Sequence, residues 1–263
     1  MRITILGSGS TGNATLVQFA GTSVLIDAGI RIGILKERML DLVGSVDIDG
    51  IVITHYHGDH SAHVNQYAKE FDAPVFFTRS TEERSRLKDR YPRRLFAPTQ
   101  AFRVGKLDFV PLPLPHDAPQ VALRFGPKDA QAALITDLGS APPGLADYLK
   151  DCHTVLLESN HDSVMLENGP YHASLRARVA SDVGHLSNNQ CASIIQSLSP
   201  KVQRIVLMHL SQKNNHPELA YRCADKALYG RKTDLRIAGP SPLQLYIERP
   251  LPMSSQVQLS FTL

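Results

Sequence analysis

Cysteine is scarce in this 263-residue chain and poorly placed: Cys152, Cys191 and Cys223 are odd in number and contain no C-x-x-C pair. Such spacing excludes a zinc finger and reads as reduced thiols in a cytoplasmic setting. Long apolar runs are also missing, and none approaches the roughly 18 residues of a membrane span. The start, Arg2-Ile3-Thr4-Ile5-Leu6-Gly7, lacks the charged, apolar and small-residue succession of a signal peptide, so a cytoplasmic protein with no membrane partner is expected. Charge of one sign is lacking too. A formal net charge of +3 and a pI near 8.7 are compatible with a polyanionic partner but too weak to demonstrate one. Internal repeats, low-complexity tracts and convincing linkers are absent, which implies one domain over residues 1–263, with a C-terminal extension from about 240 that reads as strand or extended arm. The oligomeric state leaves no trace in the sequence.

What is present is globular: 43% hydrophobic and 20% charged residues provide for a substantial core. Strand patterns fall at 3–6, 14–19, 23–26, 51–53, 74–77, 107–112, 121–125, 132–135, 154–157, 204–208 and 234–237. Helical periodicity falls at 34–42, 62–71, 174–181, 188–197 and 217–227. Between residues 79 and 94 lie Arg79, Arg84, Arg86, Lys88, Arg90, Arg93 and Arg94, interspersed with Glu82, Glu83 and Asp89. That run reads either as a track for a nucleic-acid backbone or as an ordinary solvated helix, and it contains no aromatic ladder for base stacking.

One motif dominates. The strand at 51–53 runs into Thr54-His55-Tyr56-His57-Gly58-Asp59-His60, which puts three imidazoles and a carboxylate within six residues at a strand end. Imidazole and carboxylate suit Zn, Mn or Fe, and a buried cluster of them without a cation would be costly. In H-x-H both rings can reach one ion, while Asp59-His60, past a glycine that lets the chain turn, can address a second. Isolated candidates stand at other strand ends: His116, Asp137 and His209. Gly7-Ser8-Gly9-Ser10-Thr11-Gly12, with Asp27 twenty residues after Gly7, imitates a dinucleotide-binding fingerprint. The alternation over 13–19 and the turn at 20–22 leave no room for the required crossover helix, so this loop is expected beside the metal ligands, where small residues allow close approach to a phosphate.

With these motifs in this order, the chain resembles the metallo-β-lactamase-fold hydrolases over most of its length. Gly7-Ser8-Gly9-Ser10-Thr11-Gly12-Asn13-Ala14, Leu25-Ile26-Asp27-Ala28-Gly29, Leu157-Glu158-Ser159-Asn160-His161-Asp162, Gly184-His185-Leu186-Ser187-Asn188 and His209-Leu210-Ser211-Gln212 are similar to the YycJ/WalJ group, which is associated with 5′→3′ exonuclease activity on DNA. The group is related in fold to ribonuclease Z and the β-CASP nucleases. The resemblance implies an α/β (α+β) fold, a four-layer αββα sandwich of two mixed sheets flanked by helices. It also implies two divalent metal ions, Zn or Mn with Fe possible, and a nucleic acid substrate, DNA rather than RNA. His55, His57 and His116 would hold the first ion, Asp59, His60 and His209 the second, and Asp137 would bridge them. Asp27 would orient a ligand, and Asp59, Glu158 and His185 would take part in catalysis, with a water between the ions as nucleophile and His185 as proton donor to the leaving oxygen. Ser10, Asn13, His161 and Asn188 are candidate substrate contacts. Two departures stand out: Tyr56 occupies an expected acidic position and Leu138 an expected threonine. Alternative activities on the same framework are hydrolysis of a thioester or small ester, as in glyoxalase II, and RNA processing. A non-catalytic binding protein is disfavoured by the full ligand set.

Overall fold

The computed structural model describes residues 1–247. In chain order the first half contains β1 (Arg2–Gly7), β2 (Ala14–Phe19), β3 (Thr22–Ile26), α1 (Ile32–Val43), β4 (Gly50–Val52), α2 (Gly58–Ser61), α3 (Val64–Phe71), β5 (Val75–Phe77), α4 (Arg79–Arg84) and β6 (Arg93–Leu95). The second half contains β7 (Phe102–Val104), β8 (Leu107–Leu114), β9 (Gln120–Phe125), β10 (Ala132–Ile135), α5 (Leu145–Leu149), β11 (Thr154–Glu158), α6 (Ser163–Asn168), α7 (Ala173–Val179), α8 (Asn188–Ser197), β12 (Arg204–Met208), α9 (Pro217–Ala227), β13 (Asp234–Ile237) and β14 (Leu243–Tyr246).

Two seven-stranded sheets result, ordered β14-β1-β2-β3-β4-β5-β6 and β13-β12-β11-β10-β9-β8-β7. Each is mixed. Pairing is antiparallel from β14 to β3 and parallel from β3 to β6, and likewise antiparallel from β7 to β10 and parallel from β10 to β13. The inner faces share one core, where Ile3, Val17, Ile26 and Val52 meet Phe109, Leu123, Leu156 and Val206. The outer face of the first sheet is covered by α1 and α3 through Leu35, Met39, Val64 and Tyr67. That of the second is covered by α8 and α9 through Ile194, Ile195, Ala220 and Ala224. This is the four-layer αββα sandwich. Where the two sheets come together, Phe102 stacks with Phe76, Phe96 and Phe109, at centroid separations of 6.0, 4.1 and 5.2 Å.

Three expectations are corrected in detail. The helix expected over 62–71 begins only at Val64, with the separate turn α2 before it, because the backbone of Ala28 bridges the two: Ala28 N donates to His60 O at 2.7 Å and His63 N donates to Ala28 O at 2.9 Å. The strand at 107–112 continues to Leu114 through Pro111 and Pro113. β7 covers β8 only as far as Phe109, so on that side a missing N–H breaks no pairing. The charged run is not one helix, since α4 ends at Arg84 and an irregular segment leads to β6. The extension from 240 forms β14, paired antiparallel with β1, while residues 248–263 lie outside those described. The glycine-rich loop opens no helix and passes directly into β2, as its alternation requires. Among the described residues no helix is long and apolar enough to cross a membrane.

Candidate metal centre

Parallel strands deliver their chain ends to one edge of a sheet, where loops can converge. Here β3 ends at Asp27, β4 at Thr54 and the histidine-rich loop, β10 at Asp137, β11 in Glu158 and β12 at His209. The turn between β8 and β9 adds His116 and the segment between α7 and α8 adds His185. Both sheets therefore contribute. Asp27, Asp137 and His209 share a backbone feature: φ values of 66°, 60° and 55°, the left-handed region that costs a non-glycine residue of order 1 kcal/mol. Each turns sharply off its strand into the cleft, and strain of this kind concentrates at functional sites.

Three sets of potential ligand atoms gather here, each with all atoms within 4.8 Å of one another: His55, His57 and His116; Asp59, His60, Asp137 and His209; and Asp137, Glu158, His185 and His209. In the first set His116 Nε2 lies 3.2 Å from His57 Nδ1, a separation suited to a shared cation. In the second, His60 Nε2 lies 3.1 Å from Asp137 Oδ2 and 3.6 Å from Asp59 Oδ2, and His209 Nε2 lies 3.2 Å from Asp59 Oδ2.

The donor chemistry fits metal. The nitrogen of each ring that faces away from the cluster has a partner: His116 Nδ1 donates to Gly184 O at 3.1 Å, His60 Nδ1 to Asp27 Oδ2 at 2.7 Å and His209 Nδ1 to Glu158 Oε1 at 2.9 Å. Such bonds fix the tautomer and direct the other nitrogen inward. Two buried inward atoms, His55 Nε2 and Asp137 Oδ2, have no hydrogen bond of acceptable geometry among the described residues. Orphaned buried polar atoms of this kind are costly unless a cation meets them. Asp27 is braced in turn by Thr54, whose N and Oγ1 donate to Oδ1 at 2.8 and 2.9 Å.

Electrostatics divides the cluster. Burial, reinforced by His60, holds His55 well below the ordinary imidazole value, and burial with His116 lowers His57. Burial opposes charge on His60 and His209 as well. There the neighbouring carboxylates prevail: Asp137, Asp27 and Asp59 raise His60, while Asp137, Asp59 and Glu158 push His209 up to about 10. Glu158, fully buried, falls to about 2 because His185 and His209 outweigh its burial. His185 is raised against its burial by Glu158 and Asp137.

Glu158 does more than its sequence context indicated. Its Oε1 accepts from His185 Nδ1 and from His209 Nδ1, both at 2.9 Å, while Oε2 accepts the backbone N–H groups of Leu138 and Leu186, both at 3.1 Å. Asp117 was not anticipated. Its Oδ1 lies 3.4 Å from His57 Nε2 and 3.3 Å from His116 Nε2, and its only sequence signal was adjacency to His116.

The four candidate substrate contacts are dispersed. Ser10 is exposed and lines a 450 Å³ groove beside Asp59. Asn13 is buried, with Nδ2 2.9 Å from His60 Nε2 and its backbone N donating to Asp59 O at 2.8 Å. Asn188 is buried and uses its amide on Ser159 and Asn215. His161 is buried at the wall of a 280 Å³ groove, and its Nδ1 has no hydrogen-bond partner among the described residues. His172 and His216, which had no assigned role, cap the N-termini of α7 and α9.

A family model described as "Beta-lactamase superfamily domain" matches residues 22–210. In fold the chain is similar to the metallo-beta-lactamase fold protein YhfI from Bacillus subtilis, with a TM-score of 0.71 and 18% identity, covering 93% of this chain and 99% of that one. Sandwich and cluster together define the class, a metallo-β-lactamase-fold protein. Exodeoxyribonuclease WalJ of Streptococcus pneumoniae is 31% identical over 234 residues, 84% of this chain and 85% of its own length. Exodeoxyribonuclease YycJ of Bacillus anthracis is 30% identical over 238 residues, 87% and 89% of the two. The chain belongs to this WalJ/YycJ family of the β-lactamase superfamily.

Proposed function

We propose that the chain is a metal-dependent exonuclease acting on DNA, with one divalent ion held by His55, His57 and His116, a second by Asp59, His60 and His209, and Asp137 shared between them. Zinc and manganese suit this mixture of imidazole and carboxylate, and iron is also compatible. The observation that carries the reading is the overlap of the ligand sets: Asp137 and His209 belong both to the second cluster and to the group containing Glu158 and His185. Ions bound there would make water acidic enough to attack at neutral pH and would offset the charge of phosphate oxygens. The similarity to WalJ and YycJ supports DNA as the substrate.

The remaining roles belong to side chains. Asp59, about a quarter exposed, faces the cleft, where it would orient the attacking hydroxide by accepting a hydrogen bond from it. His185 has Nδ1 tied to Glu158 and is partly exposed, so Nε2 is the atom available to substrate. Glu158 favours the charged ring, which makes His185 a proton donor to the departing 3′ oxygen, an alkoxide that leaves poorly without one.

Metal analysis of protein purified without chelator, followed by assay on labelled single- and double-stranded DNA, RNA and a thioester, tests this reading. DNA should be degraded from an end, and Asp59→Ala or His116→Ala should abolish cleavage. Undiminished cleavage by either variant rejects the ligand assignment, and turnover of the thioester or RNA alone rejects the substrate.

A further inference from the structure

The charged segment after β5 meets the ligand loop where a cation lies over an aromatic ring. Arg84, the last residue of α4, holds its guanidinium carbon 5.2 Å from the centroid of the Tyr56 ring. Tyr56 stands between His55 and His57, its ring 5.4 Å from that of His57 and edge-on at 78°. The departure from an expected acid at position 56 thus places a neutral aromatic where a carboxylate would repel phosphate, and the aromatic carries a cation.

The acids interspersed in the segment leave most of its cations without an ion pair, although Glu83, exposed beside Arg84, also enters none with a described residue. Glu82 and Asp89 both converge on Arg93, at 2.6 and 3.1 Å. Arg84, Arg86, Lys88 and Arg94 are exposed and enter no ion pair with a described residue. A guanidinium laid against an aromatic ring keeps one face and its N–H edge for other partners, and that geometry stacks on nucleobases while donating to phosphates. An unpaired base offers its face most freely, because inside a duplex both faces are already stacked.

We propose that Tyr56 and Arg84 form a stacking platform for one unpaired base of a DNA strand, adjacent to the metal ligands, and that the cationic segment 84–94 contacts the neighbouring phosphates. This rests on the nuclease reading above. Arg84 touches base, whereas Tyr56 is a positioning residue that holds the guanidinium flat.

Fluorescence anisotropy tests the platform with phosphorothioate-linked single strands, which resist consumption, in a normal and an abasic version of equal length. Arg84→Ala should weaken binding of the normal strand about tenfold and of the abasic strand by only about twofold, the share of one phosphate contact at moderate salt. Arg84→Lys, which keeps charge without the plane, should lose affinity for the normal strand alone. Tyr56→Leu should behave like Arg84→Lys, and Tyr56→Phe like the wild type. Metal content equal to that of the wild type in every variant verifies an intact ligand loop. Equal losses on both strands, or no loss on either, overturn the platform. A wild-type chain that binds no oligonucleotide overturns the nuclease reading and the platform together, whereas one that binds and cleaves while the variants match it overturns the platform alone.

Discussion

At the scale of single residues, the centre is a balance of charge before it is a catalyst. In the metal-free protein the protons on His60 and His209 offset Asp27, Asp59, Asp137 and Glu158. The linkage has a definite sign. His209 has a folded pKa of about 10 against an ordinary 6.5, so its contribution to stability is full below about pH 6.5 and is lost as pH rises towards 10. The chelated protein should therefore melt at progressively lower temperature between pH 7 and 10, as differential scanning calorimetry would show, and added Zn²⁺ should flatten that decline by replacing the protons. A chelated protein whose melting point is level over this range contradicts the charge assignment. Of this balance, the sequence revealed the participants at His55, His57, Asp59 and His60, because six consecutive residues with metal-ligand spacing are a local signal. It did not reveal that Glu158 grips His209 as well as His185. That bond spans 51 positions, and no periodicity encodes it.

At the scale of elements, most strands were legible because alternation and flanking glycines are local, and the boundaries that shifted have physical causes outside the segment concerned. Ala28, more than thirty residues upstream, separates α3 from the turn before it, and the open side of β8 tolerates prolines that ordinarily end a strand. α4 and β6 were hidden by charge, since Arg93 and Arg94 on β6 do not resemble strand residues. The loops around the centre are held by close backbone approach. A Cβ on Gly29 would collide with the Asp59 carbonyl and with the backbone nitrogen of Asn13, and one on Gly12 would meet Gly29 itself. Gly29→Ala should displace Asp59, lowering metal affinity at least tenfold in chelator competition and costing about 1–3 kcal/mol in urea unfolding. Gly33→Ala, in open space on α1, should leave metal affinity unchanged and raise stability by up to about 1 kcal/mol. Equal metal affinity in the two variants argues against this role for Gly29.

At the scale of the whole molecule, the first and last strands among the described residues are neighbours. β14 pairs with β1 through Arg2–Tyr246 and Ile5–Leu243, and Leu245 and Ile247 are buried in the core shared by the sheets. The sequence allowed a strand from about 240 but not its partner, because pairing with β1 spans more than 230 positions and carries no local pattern. Truncation after residue 240 should cost about 3–6 kcal/mol from these two side chains alone and expose the edge of β1 to intermolecular pairing. Denaturant titration and light scattering would measure both effects, and an unchanged urea midpoint would show that the final strand is dispensable. The division of the proposed ligands between the sheets has a further consequence. Asp59 and His60 follow a strand of one sheet, while Asp137 and His209 follow strands of the other, so the two halves of the sandwich are fastened across the cleft. A gap as wide as one water molecule would dismantle the hydrolytic machinery while every helix remained intact. Heat should thus silence this protein before spectroscopy registers any loss of secondary structure.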